Sequence, residues 1–220
     1  MARKRKHKAR LAGRLALLLV LIAAVLIVRR SDIGRDPAPV PLTTVVKIID
    51  GDTMVLGNGE TVRLLAIDTP EDGEPLHDEA AALLAQVALG KEARIVSSGR
   101  RRDTYGRLLA YVYVDDTLLV NRVLVDSGLA YVYLFRDTYT GRPETDRIIA
   151  AQRAALDRRA GLFALPRAAE PYYVAGRTSY RFHRPGCPST AEFTSGRART
   201  FATRRDALAE GLSPCRRCKP

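Results

Sequence analysis

The chain has 220 residues with 36 Lys or Arg against 24 Asp or Glu, a net charge of +12, and 46% of its residues are hydrophobic. That length holds one ordinary domain and a small module, and the apolar content, 16 scattered Gly and a single long apolar run exclude wholesale disorder, a collagen-like repeat and a multi-span membrane protein. The charge is uneven, with +9 in residues 1–30, −4 in residues 31–173 and +7 in residues 174–220, so the basic total is not by itself a nucleic-acid footprint.

Residues 1–10, MARKRKHKAR, precede an apolar run from Leu15 to Val28 that Arg29 and Arg30 close. Basic then apolar is the pattern of an export signal; fourteen helical residues reach about 21 Å against a hydrocarbon core of roughly 30 Å. Starting at Ala12 with Arg14 snorkelling adds about 4 to 5 Å. No small-x-small cleavage site follows the run. An uncleaved signal anchor over residues 1–30, a transmembrane helix, is therefore expected, with a secreted form as the alternative. Seven Lys/Arg before Leu15 against two after Val28 predict that the tail stays in the cytoplasm and the body of the chain lies outside it. Pro37, Pro39 and Pro41 mark an extended linker over residues 31–42, and a folded body over residues 43–165 follows.

Val45 to Ile49, Thr53 to Leu56 and Thr61 to Ile67 are β-branched and apolar, separated by Asp50-Gly51 and Gly57-Asn58-Gly59, and predict a three-stranded meander. Asp78 to Leu89 carries apolar residues at helical spacing and ends at Gly90. Strands over Glu92 to Ser97 and Leu108 to Val114 flank the loop SGRRRDTYG. A short helix over Asn121 to Ser127 and a longer one over Glu144 to Ala160 come next. Five strands interrupted by a helix and followed by helices predict an α+β body, a five-stranded OB-type β-barrel with flanking helices.

Two segments, Ile49-Asp50-Gly51-Asp52-Thr53 and Arg63 to Glu71, concentrate charge that local structure does not require. A hairpin centred on Asn58-Gly59 pairs Met54 with Arg63 and Asp52 with Leu65, which puts Asp52, Arg63 and Asp68 at one open end. Convergent carboxylates repel unless a cation lies between them, and hard oxygen ligands suit calcium or magnesium. Pro70 keeps Thr69 extended, so its carbonyl can face the same ion. Glu71 is then placed to take a proton from water, and Arg63 and Arg107 supply guanidiniums for charge developing on a phosphate.

The motifs VVKIIDGDTMVL, VRLLAIDTPE and DTYGRLLAYVYVD, in this order, resemble the staphylococcal nuclease family from about Thr43 to Phe163. The resemblance implies an OB-fold nuclease that hydrolyses DNA or RNA with calcium. It implies that Asp52, Asp68 and Thr69 bind the metal and that Glu71 is the general base. It further implies that Arg63 and Arg107 stabilise the transition state and that Tyr105 contacts phosphate. The chain departs from the family at Thr104, where a lysine is usual, and in the acidic loop EDGEPLHDE. The aromatic residues after Ala130 are Tyr131, Tyr133 and Phe135 in place of a clearly aligned stacking pair.

Residues 174–220 hold all three Cys and arrange His183-x-x-x-Cys187 and Cys215-x-x-Cys218 as two close pairs. This is the arithmetic of a four-coordinate zinc site; a disulfide among the cysteines is the alternative. The segment from Arg181 to Pro220 resembles the Ada-type zinc-binding module of DNA alkylation-repair proteins. There the first ligand is a methyl-accepting Cys, whereas His183 stands here, so methyl acceptance is not expected. Arg204, Arg205, Arg216 and Arg217 are expected to hold nucleic acid electrostatically. The rival to a membrane-anchored nuclease is a non-catalytic OB-fold nucleic-acid-binding or DNA-uptake protein, against which Asp52, Asp68 and Glu71 stand. No protein partner is expected.

Overall fold

The computed structural model describes residues 40–135, 142–191, 193 and 196–220. The expected membrane anchor lies outside the described residues, and among the described residues no helix is long and apolar enough to cross a membrane.

Strands β1 (Val40–Ile48), β2 (Thr53–Leu56) and β3 (Thr61–Leu64) form an antiparallel meander. The other edge of β1 pairs with β5 (Glu92–Arg102), which pairs in turn with β6 (Leu108–Val114), and β6 carries the short β7 (Leu118–Leu119) at its end. β6 returns to β3 in parallel, Val62 opposite Leu108 and Leu64 opposite Ala110, so five strands close into a barrel. β1 begins inside the segment expected as linker, and its register shifts between Val40 and Thr43, where Pro41 has no N–H to donate.

The barrel interior holds Met54, Leu56, Val62, Ile95 and Val112, covered by Leu84 of α1 (His77–Ala88) and Leu124 of α2 (Val120–Asp126). Helix α3 (Pro143–Arg158) adds Ile148. Burying each such side chain stabilises the fold by about 1.5–3 kcal/mol.

Three expectations are corrected. The hairpin pairs Thr53 with Arg63 and Met54 with Val62, one residue away from the expected Met54–Arg63 pairing. Leu56 N–H donates to Glu60 C=O at 2.9 Å across a three-residue loop in which only Gly59 has a positive φ, +82°. A two-residue turn centred on Asn58-Gly59 requires positive φ at both residues, and the longer loop removes that demand from Asn58. The strand expected over Thr61 to Ile67 also breaks, because Ala66 takes φ 63°. The chain resumes as β4 (Ile67–Asp68), paired with β8 (Tyr131–Val132). Asn121, fully buried, holds the break by donating to Leu65 C=O at 2.9 Å. In addition β5 runs on through Arg102, so the loop before β6 comprises residues 103–107 only.

The C-terminal residues form a second small sheet of β9 (Tyr173–Gly176), β10 (Arg181–His183), β11 (Ala198–Phe201) and β12 (Ser213–Pro214), in the order β11-β9-β10-β12. Helix α4 (Arg204–Ala209) is started by a capping box between Thr203 and Asp206. The core of this module, Tyr173, Phe182, Phe201, Leu208 and Leu212, includes Leu156 of α3, so module and barrel share a helix. Gln152, fully buried on that helix, accepts from Val132 N–H at 2.7 Å and donates to Leu208 C=O at 2.6 Å, tying the two together.

Candidate active site and metal centre

The tight Asp50-Gly51-Asp52 turn places the first carboxylate. A Cβ on Gly51 would lie 2.7 Å from Ala80 Cβ and 2.8 Å from Thr69 Oγ1, so only glycine allows α1 and Thr69 to approach this closely. Asp52 is 6% exposed. Its Oδ1 accepts from Thr53 Oγ1 at 3.1 Å and lies 2.8 Å from Arg63 Nε, and its Oδ2 accepts from Thr69 N–H at 3.1 Å. Burial pushes the Asp52 carboxyl up to about 6 against the pull of the Arg63 guanidinium, and Asp50 and Asp68 add to the rise.

Arg63 donates through Nη2 to Asp68 Oδ1 at 3.0 Å and through Nη1 to Ile67 C=O at 2.9 Å and to Leu64 C=O. One guanidinium thus links Asp52 to Asp68 and is locked in place by the backbone of the Ala66 turn. The structure therefore brings Asp52, Arg63, Asp68 and Thr69 together, with Glu71 at the rim. Arg107 comes from the turn before β6. Its Nε donates to Asp103 Oδ2 at 2.7 Å and its Nη1 to Thr53 Oγ1 at 3.4 Å. Burial raises the Asp103 carboxyl, but hydrogen bonds from Arg107 and from the Tyr105 amide outweigh it and leave the group below its ordinary value. Asp103 is a site residue that sequence reasoning missed, although its place four residues before Arg107 is a signal for an orienting partner.

These groups line a cleft of about 720 Å³ together with Tyr105, Tyr133 and Phe135. Tyr105 is 84% exposed, with the Arg107 guanidinium 5.5 Å from its ring. Tyr133 and Phe135 meet edge to face at 4.9 Å. Tyr131 is withdrawn from the cleft: its hydroxyl accepts from Arg204 at 2.9 Å and its ring packs on Phe163. The carboxylate set fits a divalent cation, because Asp52 and Asp68 offer hard oxygen donors whose mutual repulsion a cation would relieve.

The second centre lies in the module. The ligand atoms of His183, Cys187, Cys215 and Cys218 all fall within 4.8 Å of one another, and all three cysteines are free. His183 Nδ1 is buried with no hydrogen-bond partner among the described residues, an orphan that a metal would satisfy. Burial pushes the Cys218 thiol up to about 12 against the Arg184 amide, with the Cys187 and Cys215 sulfurs adding to the rise. Three sulfurs and an imidazole at this spacing are the donor set of a structural zinc site.

Of the four arginines of the module expected to hold nucleic acid, three have partners within the chain. Arg204 bonds Tyr131 and the Pro220 carbonyl, Arg205 pairs with Asp157, and Arg216 reaches Asp68 and Glu71. Each was drawn inward by a partner distant in sequence, which local charge patterning does not show.

A closed barrel whose open end gathers carboxylates and guanidiniums is the architecture of an OB-type nuclease. The family model described as "Staphylococcal nuclease homologue" matches residues 61–164, and that described as "Metal binding domain of Ada" matches residues 157–220. A micrococcal nuclease of Shigella flexneri is 34% identical over 139 residues, covering 58% of this chain and 76% of that protein. The endonuclease YncB of Bacillus subtilis is 42% identical over 105 residues, 41% of this chain and 48% of its own length. The prophage-derived endonuclease YokF of the same organism is 41% identical over 105 residues, 41% of this chain and 34% of its own length. The chain belongs to the staphylococcal nuclease family and carries an Ada-type metal-binding module at its C-terminal end.

Proposed function

We propose that the chain is a calcium-dependent endonuclease that hydrolyses phosphodiester bonds of DNA or RNA, with zinc as a structural ion in its module. The observation that carries this reading is the convergence of Asp52, Asp68 and Glu71 with Arg63 and Arg107 in one cleft. Asp52 and Asp68, with the Thr69 carbonyl, would hold the calcium. Bound there, the ion would supply charge neutralisation and polarise the attacking water. Glu71 takes the proton of that water at a carboxylate oxygen. Arg63, held by three hydrogen bonds through Nη1 and Nη2 and paired with Asp52 through Nε, is fixed in direction to offer its remaining donor capacity to a phosphate oxygen. Arg107, aimed by Asp103, presents its remaining Nη2 from the other side, and Tyr105 stands at the rim to meet a flanking phosphate.

Residues 1–30, basic and then apolar, support placing this nuclease outside the cytoplasm on a membrane anchor. The test is cleavage of single-stranded DNA, duplex DNA and RNA by the full chain, with calcium or chelator, beside Asp52→Ala. Calcium-dependent cleavage that disappears in the variant is the expected result. Binding of nucleic acid with no cleavage under any of these conditions would move the protein to the class of non-catalytic OB-fold binders.

A further inference from the structure

Arg216 lies between the metal-centre ligands Cys215 and Cys218, 148 residues from Asp68, yet it lines the nuclease cleft. Its Nη2 donates to Asp68 Oδ1 at 2.6 Å and its Nε to Asp68 Oδ2 at 3.3 Å. The same Nη2 lies 2.9 Å from Glu71 Oε1. Its guanidinium lies 5.7 Å from the Tyr133 ring, over which the Arg181 guanidinium also lies, at 3.8 Å. The backbone that carries it is anchored: Cys215 N–H donates to Phe182 C=O at 3.0 Å, Lys219 N–H to Cys215 C=O at 2.8 Å, and Arg184 N–H to Cys218 Sγ at 3.4 Å.

The three guanidiniums of the cleft differ in what they have left to give. Arg63 is 13% exposed and Arg107 30%, each fixed by protein acceptors, whereas the Arg216 side chain is 55% exposed. Its acceptors are the carboxylates proposed to hold the cation and to activate water. Once those groups are so engaged, Arg216 has donors without partners at the mouth of the cleft, and its anchored backbone keeps it there. A planar fork of N–H groups in that position matches phosphate oxygens.

We propose that Arg216 is a substrate-binding residue of the nuclease cleft, presented by the metal-binding turn of the C-terminal module and holding a phosphodiester group of the bound strand. The match to the nuclease family ends at residue 164, so this contact is an addition to the barrel from outside it. The inference rests on the nuclease reading.

The test compares Arg216→Ala with Arg217→Ala, which removes the same charge from an exposed neighbour in the same turn. Kd for a labelled single-stranded oligodeoxynucleotide is measured in calcium in a Glu71→Gln background, over a range of salt, beside kcat and KM in the otherwise wild-type chain. Loss of Arg216 should raise Kd and KM about tenfold and lower the slope of log K on log salt by about 0.7, and the effect should exceed that of Arg217→Ala. Arg216→Lys should recover part of the affinity. Equal effects of the two alanine variants, unchanged Kd and KM, or a rise in kcat/KM marking Arg216 as an occluding counter-ion, would each overturn the assignment. The wild-type chain and Asp52→Ala in the same series separate this from the nuclease reading, which stands whenever calcium-dependent cleavage is lost in Asp52→Ala.

Discussion

Glu71 has the most exposed side chain of the three carboxylates, 65% against 15% for Asp68, with that of Asp52 buried, and water reaches it without crossing protein. That exposure suits a base that must exchange its proton with solvent after each turnover. Glu71→Gln should lower kcat by about 100- to 10,000-fold with nucleic-acid binding retained; equal losses of both, measured by single-turnover cleavage and fluorescence anisotropy, would speak against its role. A few residues on, His77 Nδ1 lies 2.9 Å from the Pro70 carbonyl. That hydrogen bond, with Asp72, Asp78 and Asp50 nearby, raises the imidazole above its ordinary 6.5. The folded value exceeds the unfolded one, so its stabilisation is complete below about pH 6.5 and fades as pH rises through the folded value. The stability difference between wild type and His77→Gln, followed by urea unfolding from pH 5 to 9, should shrink in that direction. At this scale the sequence shows the charged residues themselves, Asp52, Arg63, Asp68, Glu71 and Arg107, because charge on short turns has no structural excuse. It does not show the partners that reach them from far along the chain: Asn121 bonds the Leu65 carbonyl from 56 residues away and Arg216 bonds Asp68 from 148.

Among the elements, β2 and β6 fall where alternation and β-branching predict them, and the three helices of the barrel domain agree to within a few residues. What escapes the pattern is backbone geometry. The hairpin register depends on whether Asn58 or only Gly59 carries the positive φ, and the break at Ala66 puts a left-handed residue where an apolar run reads as continuous strand. Both details matter to the site, since the first sets Arg63 opposite Thr53 and the second supplies the carbonyls that fix Arg63. Gly51 is where an element meets the chemistry directly. Gly51→Ala forces its Cβ against Ala80 and Thr69, so it should destabilise the fold by about 1–3 kcal/mol and also weaken calcium binding by displacing the Thr69 amide from Asp52. Thermal unfolding and calorimetric titration would check the two effects, and loss of stability without loss of calcium affinity would count against the coupling.

Across the whole molecule, barrel and module behave as one folded body because α3 serves both. Gln152 is the joint, and its helical face was legible in the sequence while its two partners, 20 and 56 residues away, were not. Gln152→Leu fills the same space but leaves the Val132 N–H and the Leu208 C=O buried and unpaired. It should cost about 2–4 kcal/mol, seen as a lower denaturant midpoint at unchanged m-value. The small C-terminal sheet was not anticipated at all, because its strands are two to four residues long and too short to show alternation. The parallel seam between β3 and β6 carries one more consequence, for the order of events as the chain folds. Arg63 sits on one side of the seam opposite Leu109, and Arg107 immediately precedes β6 on the other. Pairing strands so distant in sequence is slow, since the entropy of closing the intervening loop is lost before any contact forms. On the proposed reading the two guanidiniums come to face a common phosphate only after the barrel has shut, so a newly made chain that has not yet folded is harmless to the nucleic acids around it.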